Sequence, residues 1–238
     1  MVVEIGSEIR IRDASKELYD WAQENLIIPN PQYRERERRG LWVGNTPKYL
    51  WLYHVDGSDL IVPTGVGKQV RQFLSEKDKI SVHLADNGIL DYKGTIPLYD
   101  YQKDAVEAMQ RTSCGILQSP CGSGKTQMGI ALAAELSRKV LWITHTQDLL
   151  TQSKTRAEQY FPEETLGTIT AGKAQVGSHI TFATVQTLCK MDLDQFRYTW
   201  DVVIVDECHR LAGSPTQVTM FYKVMNGLAA RHKYGLSA

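Results

Sequence analysis

The chain has 238 residues, enough for one large domain or two small domains that each bury a hydrophobic core. Its 27 basic residues balance 27 acidic residues, so any surface that binds nucleic acid has to be local rather than spread over the molecule. The 4 cysteines show no zinc-ligand spacing, and no apolar run approaches the ~18–20 residues of a membrane span. The N-terminus carries no secretory signal pattern, and together these features predict a cytoplasmic protein with reduced thiols.

The N-terminal part of the chain predicts a small α+β domain. Its strand-like runs are residues 8–12, 49–54 and 60–62, and its helical pieces are residues 15–25 and 68–75. Turn signals at Asn87-Gly88 and Lys93-Gly94, followed by Pro97, place a boundary near residues 91–98. We therefore expect a first domain over residues 1–95 and a second over residues 96–238.

Two features of the first domain have both a structural and a binding interpretation. Residues 33–40 read Tyr-Arg-Glu-Arg-Glu-Arg-Arg-Gly, and their alternating signs favour a solvated, self-paired face over contact with nucleic acid. Four aromatic residues are expected in the core rather than as stacking platforms for bases. These are Trp42, Tyr49, Trp51 and Tyr53.

Residues 63–68, Pro-Thr-Gly-Val-Gly-Lys, look like a phosphate-binding loop after a strand. The next residue is Gln69, which has no hydroxyl group to bind Mg²⁺, and no acidic strand end follows at a plausible distance. We therefore interpret this segment as a turn into a helix.

From residue 101 onward, helices and strands alternate. The predicted helices are residues 101–110, 125–137, 147–160 and 215–228. The predicted strands are residues 115–118, 140–144, 179–185 and 202–205, and a further strand begins at 234. This alternation predicts an α/β fold with a parallel sheet covered by helices on both faces.

Residues 119–126, Ser-Pro-Cys-Gly-Ser-Gly-Lys-Thr, lie between a predicted strand and a predicted helix. Glycines at 122 and 124 let the backbone turn tightly, so that successive N–H groups can face phosphates at the positive end of the helix. Lys125 is expected to reach the β- and γ-phosphates, and the Thr126 hydroxyl to bind Mg²⁺. The candidate nucleotide-binding residues here are Pro120, Gly122, Ser123, Gly124, Lys125 and Thr126.

A second acidic motif, Asp206-Glu207-Cys208-His209, closes the apolar run of residues 202–205. Asp206 is expected to hold the same Mg²⁺, and Glu207 to orient and deprotonate the attacking water. A phosphate loop placed between strand and helix, with an acidic pair ending a later strand, predicts hydrolysis of a nucleoside triphosphate. The candidate catalytic residues are Lys125, Asp206, Glu207 and His209.

These motifs, in this order, resemble those of the superfamily-2 helicases, and the resemblance covers residues 98–238. It includes residues 98–102, residues 143–149 (motif Ia, with His145 where the family usually has Pro), residues 181–188, the DExH string at 206–209 and the start of motif III at 235–238. The motif sequences are closer to those of XPB-like and phage-type DNA helicases than to those of DEAD-box RNA helicases. The resemblance implies a RecA-like domain that uses ATP and Mg²⁺, and it favours DNA over RNA as the partner.

The resemblance also assigns roles to individual residues. Gln102 corresponds to the adenine-sensing glutamine, and Tyr99, where the family often has Arg, offers a ring that can stack on adenine. His209 is expected to couple motif II to motif III near Ser237. Contacts to the DNA backbone are implied for Thr146, Gln147, Thr184 and Gln186.

The related DNA helicases carry a small N-terminal domain that contacts duplex DNA, which makes residues 1–95 a possible DNA-binding domain. A superfamily-2 motor also needs a second RecA-like domain for its arginine fingers, so we expect a truncated helicase that alone is weakly active or inactive. Two alternatives remain open. One is the motor subunit of a restriction system, and the other is an ATP-gated nucleic-acid-binding module without unwinding activity.

Overall fold

The structure is a computed structural model that describes residues 1–170, 173–210, 214–215 and 218–238. The described residues form two compact units. The first unit comprises residues 1–83 with the described part of 212–222, and the second comprises the described parts of 84–211 and 223–238.

Residues 84–95 belong to the second unit, although the sequence placed them in the first domain. The Ala85 N–H group donates a 2.8 Å hydrogen bond to the Ala229 carbonyl. The Tyr92 hydroxyl donates a 2.8 Å bond to the Arg138 carbonyl. The turn residues near 87 and 93 therefore bend a segment that is already bonded to the second unit, and they do not mark its edge.

The first unit is built on a five-stranded sheet of order β5-β6-β2-β1-β7, which is antiparallel except where β7 lies parallel to β1. Strands β3 and β4 form a separate two-stranded ribbon. The strands are β1 Val2–Ile5, β2 Glu8–Arg12, β3 Ile27–Pro29, β4 Tyr49–Trp51, β5 His54–Asp56, β6 Asp59–Pro63 and β7 Lys79–Val82. The helices are α1 Lys16–Asn25, α2 Pro31–Arg38 and α3 Gly67–Arg71.

The core of the first unit follows from strand alternation and helix capping. Ile9 and Ile11 are buried while Arg10 between them is half-buried, as the two-residue period of a strand requires. Helix α1 starts where the Ser15 hydroxyl accepts a 3.2 Å bond from the Leu18 N–H group, and Leu18 is fully buried.

The expectation of four core aromatic residues is wrong for three of them. Tyr53 is buried, but Trp42 is 83% exposed, Tyr49 46% and Trp51 43%. Tyr49 and Trp51 lie two residues apart on β4, so they share one face of a ribbon that has only two strands. A ribbon of this size does not cover its own faces as the larger sheet does.

The segment at residues 63–68 is a turn into a helix, as interpreted. A 3₁₀ turn covers Thr64–Val66, and α3 then runs from Gly67 to Arg71, shorter than the predicted helix. Gly67 has a φ of −57°, which is ordinary helical backbone.

The second unit is a seven-stranded sheet of order β11-β10-β12-β9-β13-β14-β8, parallel throughout except for the β10–β11 pair. Its strands are β8 Cys114–Gln118, β9 Val140–Thr144, β10 Leu166–Thr170, β11 Lys173–Gln175, β12 Ile180–Thr184, β13 Val202–Val205 and β14 His232–Ser237. Its helices α4 to α7 are Asp100–Gln110, Lys125–Leu136, Gln147–Glu158 and Val185–Leu188, and Met220–Gly227 forms α8. This confirms the predicted α/β fold with a RecA-like parallel sheet.

Central strands β9, β12 and β13 are buried along their whole length, as expected of a parallel sheet covered on both faces. The sequence missed β10 and β11, and it extended α8 too far toward its N-terminus, where residues 216–217 lie outside the described part of the chain. Among the residues that the structure describes, no helix combines the length and apolar character needed to cross a membrane.

Candidate nucleotide-binding site

The parallel register brings five strand ends to one edge of the sheet. Gln118 of β8 lies beside Ser237 of β14, and Gly235 of β14 lies beside Val205 of β13. Strands β9 and β12 follow in the same direction. Because ligands of open α/β sheets bind at the carboxyl ends of the strands, this edge is the candidate site.

The loop between β8 and α5 requires glycine at two positions. Gly122 has a φ of +80° and Gly124 a φ of +83°, both in the left-handed region that favours glycine. A Cβ atom on Gly124 would also lie 2.5 Å from the Gln102 Nε2 atom. The loop can therefore approach Gln102 and turn directly into α5, which begins at Lys125.

The buried Lys125 ammonium bonds to its own loop. Its Nζ atom donates to the Ser119 carbonyl at 2.9 Å and to the Pro120 carbonyl at 3.2 Å. The Ser119 hydroxyl lies 2.7 Å from the Ser123 hydroxyl and closes the loop across its base. A phosphate bound by this loop would compete with these two carbonyls for the ammonium.

Side chains at the start of α4 support the same loop. The Gln102 Nε2 group donates a 2.9 Å bond to the Ser123 carbonyl, and its Oε1 atom accepts a 2.9 Å bond from the Tyr99 N–H group. The Tyr101 hydroxyl donates a 3.0 Å bond to that same Ser123 carbonyl. The rings of Tyr99 and Tyr101 are stacked, with centroids 6.0 Å apart and an interplanar angle of 8°. Sequence reasoning missed Tyr101, and its position next to Gln102 is the signal that would have found it.

Asp206 and Glu207 follow directly after β13. Glu207 has a φ of +54°, a strained value for a residue with a long side chain. Its N–H group donates a 3.0 Å bond to Asp206 Oδ1, and the buried Ser153 hydroxyl donates a 3.4 Å bond to Asp206 Oδ2. Burial, and next the charge of Glu207, raises the pKa of the Asp206 carboxyl group. No sequence pattern pointed to Ser153, which reaches this site from the middle of α6.

The loop and the acidic pair face one open cleft of about 850 Å³. Six of the residues singled out in the sequence lie in its wall: Gly122, Gly124, Lys125, Thr126, Asp206 and Glu207. Helix α6 and its C-terminal end form most of the remaining wall, which the sequence had not predicted. Its lining residues include Gln152, Ser153, Thr155, Arg156 and Gln159.

His209 lies next to the acidic pair. Its Nδ1 atom is 3.2 Å from Glu207 Oε2 and 3.4 Å from the hydroxyl oxygen of Ser237. The imidazole ring of His209 thus lies between the end of β13 and the end of β14.

The four residues expected to contact DNA lie at the ends of β9 and β12 or just after them, at the same edge. Thr146 and Thr184 cap helices, because their hydroxyl oxygens accept bonds from the N–H groups of Leu149 and Thr187. Gln147 is exposed at the first position of α6. The Gln186 Nε2 group donates a 2.7 Å bond to a backbone carbonyl, that of His145.

No group of three or more His, Cys, Asp or Glu residues that could hold a metal ion occurs in the described part of the chain. The Thr126 hydroxyl and the Asp206 carboxylate do line the same cleft, and both are the oxygen ligands that Mg²⁺ prefers. This donor set fits an ion that is bound by few protein groups together with substrate phosphates.

Comparison with known proteins finds a matching family model and several similar proteins. The family model described as Type III restriction enzyme, res subunit, matches residues 95–238. The DNA 3'-5' translocase XPB2 of Sulfurisphaera tokodaii is 28% identical over 180 residues, which are 72% of this chain and 38% of that protein. The DNA 3'-5' helicase XPB of Mycobacterium tuberculosis is 25% identical over 150 residues, 59% of this chain and 26% of that protein. The chain thus spans well under half of the length of these relatives.

Among solved structures, the UvsW helicase from bacteriophage T4 has a TM-score of 0.66 at 21% identity, and the match covers 100% of this chain and 92% of that chain. The SWI2/SNF2 ATPase core of Sulfolobus solfataricus has a TM-score of 0.51 at 17% identity, over 63% of this chain and 33% of that chain. At these identities the likeness shows the fold. The family match itself extends over more than half of the chain. The chain therefore belongs to the Type III restriction enzyme, res subunit, family, and it carries the nucleotide-binding RecA-like domain of the superfamily-2 DExH helicases.

Proposed function

We propose that this chain provides an ATP-binding domain of an ATP-dependent DNA helicase or translocase. In this role it binds ATP with Mg²⁺, and hydrolysis drives movement along DNA or unwinding of DNA. One observation carries the proposal: the phosphate-binding loop and the acidic pair, 80 residues apart in sequence, line one cleft at the carboxyl edge of a parallel sheet.

Each residue of the cleft has a distinct chemical task. Lys125 exchanges its two loop carbonyls for phosphate oxygens, while Thr126 and Asp206 would hold Mg²⁺. Bound there, the ion would neutralise charge on the phosphates. Glu207 accepts the proton of the attacking water.

The base of ATP is proposed to lie beside Tyr99 and Tyr101. Their stacked and exposed rings offer a face to a purine, and adenine stacks well on an aromatic face. Gln102 and Tyr101 both hold the Ser123 carbonyl, so a base seated there sits next to groups that fix the phosphate loop.

DNA is the proposed partner. The names of two relatives describe a DNA translocase and a DNA helicase. In this chain Thr184 ends β12 and Thr146 follows the end of the neighbouring β9, at the edge that carries the cleft. Hydroxyl and amide groups contact phosphate and sugar, so such contacts position a strand without reading its sequence.

The motor of a restriction system is the second candidate, favoured by the description of the matching family. The two candidates share the chemistry of the cleft and differ in what the rest of the protein does. Motion on duplex DNA that ends in cleavage would identify the restriction motor, and strand separation would identify the helicase.

Isothermal titration calorimetry with Mg²⁺-ATP tests the proposal. The wild-type chain is expected to bind, and Lys125→Ala to lose at least about tenfold in affinity, because a hydrogen bond to a charged group is worth about 1.5–3 kcal/mol. Lys190→Ala is the matched control, since Lys190 is exposed in the same unit and away from the loop. Equal affinity in wild type and Lys125→Ala contradicts the assignment of the loop.

A further inference from the structure

Residues 30–48 form an arm of the first unit, and one residue, Asn30, closes the base of this arm. The buried Asn30 joins the two ends of the arm. Its backbone N–H group donates to the Lys48 carbonyl at 2.9 Å, and its side-chain Nδ2 group donates to the Pro47 carbonyl at 2.8 Å. The Asn30 Oδ1 atom also accepts a 3.0 Å bond from the Gln32 N–H group and so caps α2. The base of the arm is therefore fixed, while the rest extends from it.

No residue from 31 to 48 is buried, and the structure describes all of them. Helix α2 has 8 residues, fewer than the ~12–15 that an isolated helix needs to be even marginally stable in water. Local bonds hold it instead: the Arg39–Glu35 ion pair of 2.7 Å, and a C-terminal turn in which the Leu41 N–H group donates to the Arg36 carbonyl. None of residues 31–48 is part of the buried core, and these local bonds hold the conformation of the arm.

That surface is basic in a chain with no net charge. The arm has five basic and two acidic side chains, a net charge of +3, and the remainder of the chain is correspondingly −3. All four arginines of the arm are exposed, and Arg34 and Arg38 lie one helical turn apart on α2. This arrangement is complementary to a polyanion.

The tip of the arm exposes a large aromatic ring in a defined position. Trp42 is 83% exposed, the highest value among the large apolar side chains of the described chain, and Leu41 beside it is 55% exposed. The Trp42 ring packs against Gly44, where an added Cβ atom would lie 2.8 Å from a ring carbon. The Arg36 guanidinium donates a 3.2 Å bond to the Trp42 carbonyl. The indole therefore packs against Gly44, and most of its surface is exposed to solvent.

We propose that the arm binds a DNA strand that has unpaired bases. The arginines of α2 contact its phosphates, and the Trp42 indole stacks on one base. The choice of DNA rests on the proposed function, whereas the preference for unpaired bases rests on the arm itself. A ring that presents a free face fits an exposed base face, and in a duplex the base faces are covered except at the ends.

The first test compares Trp42→Ala with wild type in fluorescence anisotropy, using labelled dT20 and a blunt 20-base-pair duplex as the two probes. The affinity of Trp42→Ala for dT20 is expected to fall about 5- to 100-fold, the range that stacking of one base on an aromatic side chain supports. Its affinity for the duplex should change less than about twofold. Trp42→Phe keeps a stacking face and should recover most of the loss, while Tyr198→Ala removes an exposed ring of the second unit as the control.

A pair of glycine variants tests the position of the indole without removing it. Gly44→Ala forces a Cβ atom into the Trp42 ring at a position with a φ of +52°. Gly57→Ala introduces similar backbone strain, at a φ of +63°, with no atom within 4 Å of its Cβ position. Binding of dT20 should weaken in Gly44→Ala relative to Gly57→Ala.

The double variant Arg34→Ala/Arg38→Ala tests the phosphate contacts. It should weaken binding of both probes and reduce the slope of log affinity against log salt by about 1.4 for dT20, the value for two phosphates on a single strand. Arg71→Ala/Lys77→Ala removes two exposed charges elsewhere in the first unit and should leave the slope nearly unchanged.

Three results overturn the proposal: unchanged dT20 affinity in Trp42→Ala, equal losses on the two probes, or a wild-type chain that binds neither. A dimer in sedimentation that Trp42→Ala disrupts would assign the arm to a second copy of the chain instead. Calorimetry with Mg²⁺-ATP on the same variants separates this outcome from failure of the proposed function, because the arm variants leave the cleft intact.

Discussion

The Nδ1 atom of His209 lies within 3.4 Å of two groups on neighbouring strand ends, the Glu207 carboxylate and the Ser237 hydroxyl. Glu207 follows β13, and Ser237 is the last residue of β14. We expect a change in the charge or position of Glu207 during hydrolysis to be transmitted through the imidazole to the end of β14. The two short distances provide a physical path for such coupling.

Replacement of His209 by Ala is expected to interrupt that path. The ring has no place among the residues that line the cleft, so the affinity for Mg²⁺-ATP should stay within about twofold of wild type. Hydrolysis should lose its link to movement on DNA. The measurement, made on a protein that joins this domain to a second RecA-like domain, is the number of ATP molecules hydrolysed per base pair separated. A normal ratio in His209→Ala contradicts the coupling role.

Glu207→Gln is expected to separate binding from turnover. The amide keeps the shape of the side chain but cannot accept the proton of the attacking water, so the hydrolysis rate should fall about 10²- to 10⁴-fold. Single-turnover hydrolysis and calorimetry measure the two properties on the same protein. The role assigned to Glu207 is wrong if the variant hydrolyses ATP at a near-normal rate.

Asp206→Asn is expected to raise the Tm of the nucleotide-free protein at pH 7 in the absence of Mg²⁺. Burial, followed by repulsion from Glu207, raises the folded-state pKa of Asp206, so the ionised form destabilises the fold. The contribution of Asp206 to the free energy of unfolding is fully present below the pKa of this carboxyl group in the unfolded chain. It is lost as the pH rises through the higher pKa of the folded state. The Tm difference between variant and wild type should therefore shrink as the pH is lowered, and a constant difference from pH 4 to pH 8 would contradict this origin.

Tyr99→Ala and Tyr101→Phe distinguish stacking from support of the loop. Removal of the Tyr99 ring should weaken ATP binding by about three- to tenfold, the value of one aromatic contact. Tyr101→Phe keeps the ring and removes the donor to the Ser123 carbonyl, which Gln102 still bonds. Its effect should appear mainly as a loss of about 0.5–1.5 kcal/mol in the free energy of unfolding. Calorimetry and chemical denaturation measure the two effects.

The parts of the site that were predictable are those in which local sequence dictates local backbone. Gly122 and Gly124 lie where positive φ is needed, and the apolar run of β13 ends at the acidic pair. The parallel sheet followed from the alternation of helices and strands, and β10 was missed because its Thr and Gly residues interrupt the apolar pattern.

Other features depend on tertiary placement, which no local pattern encodes. Ser153 is an ordinary helix residue until the packing of α6 brings its hydroxyl to Asp206. The exposure of Trp42 could not be read from its residue type, because large aromatic residues are more often buried. Trp42 is exposed because it follows α2, a helix with no buried residue.

The two carbonyl partners of Lys125 also bear on how such a site is emptied. A buried ammonium without acceptors is costly, and in an empty loop that cost would oppose release of the product. In the structure the Ser119 and Pro120 carbonyls accept hydrogen bonds from the ammonium. If the loop binds phosphates as proposed, these carbonyls would replace the departing phosphate oxygens, so that the emptied cleft would not contain an unpaired buried charge.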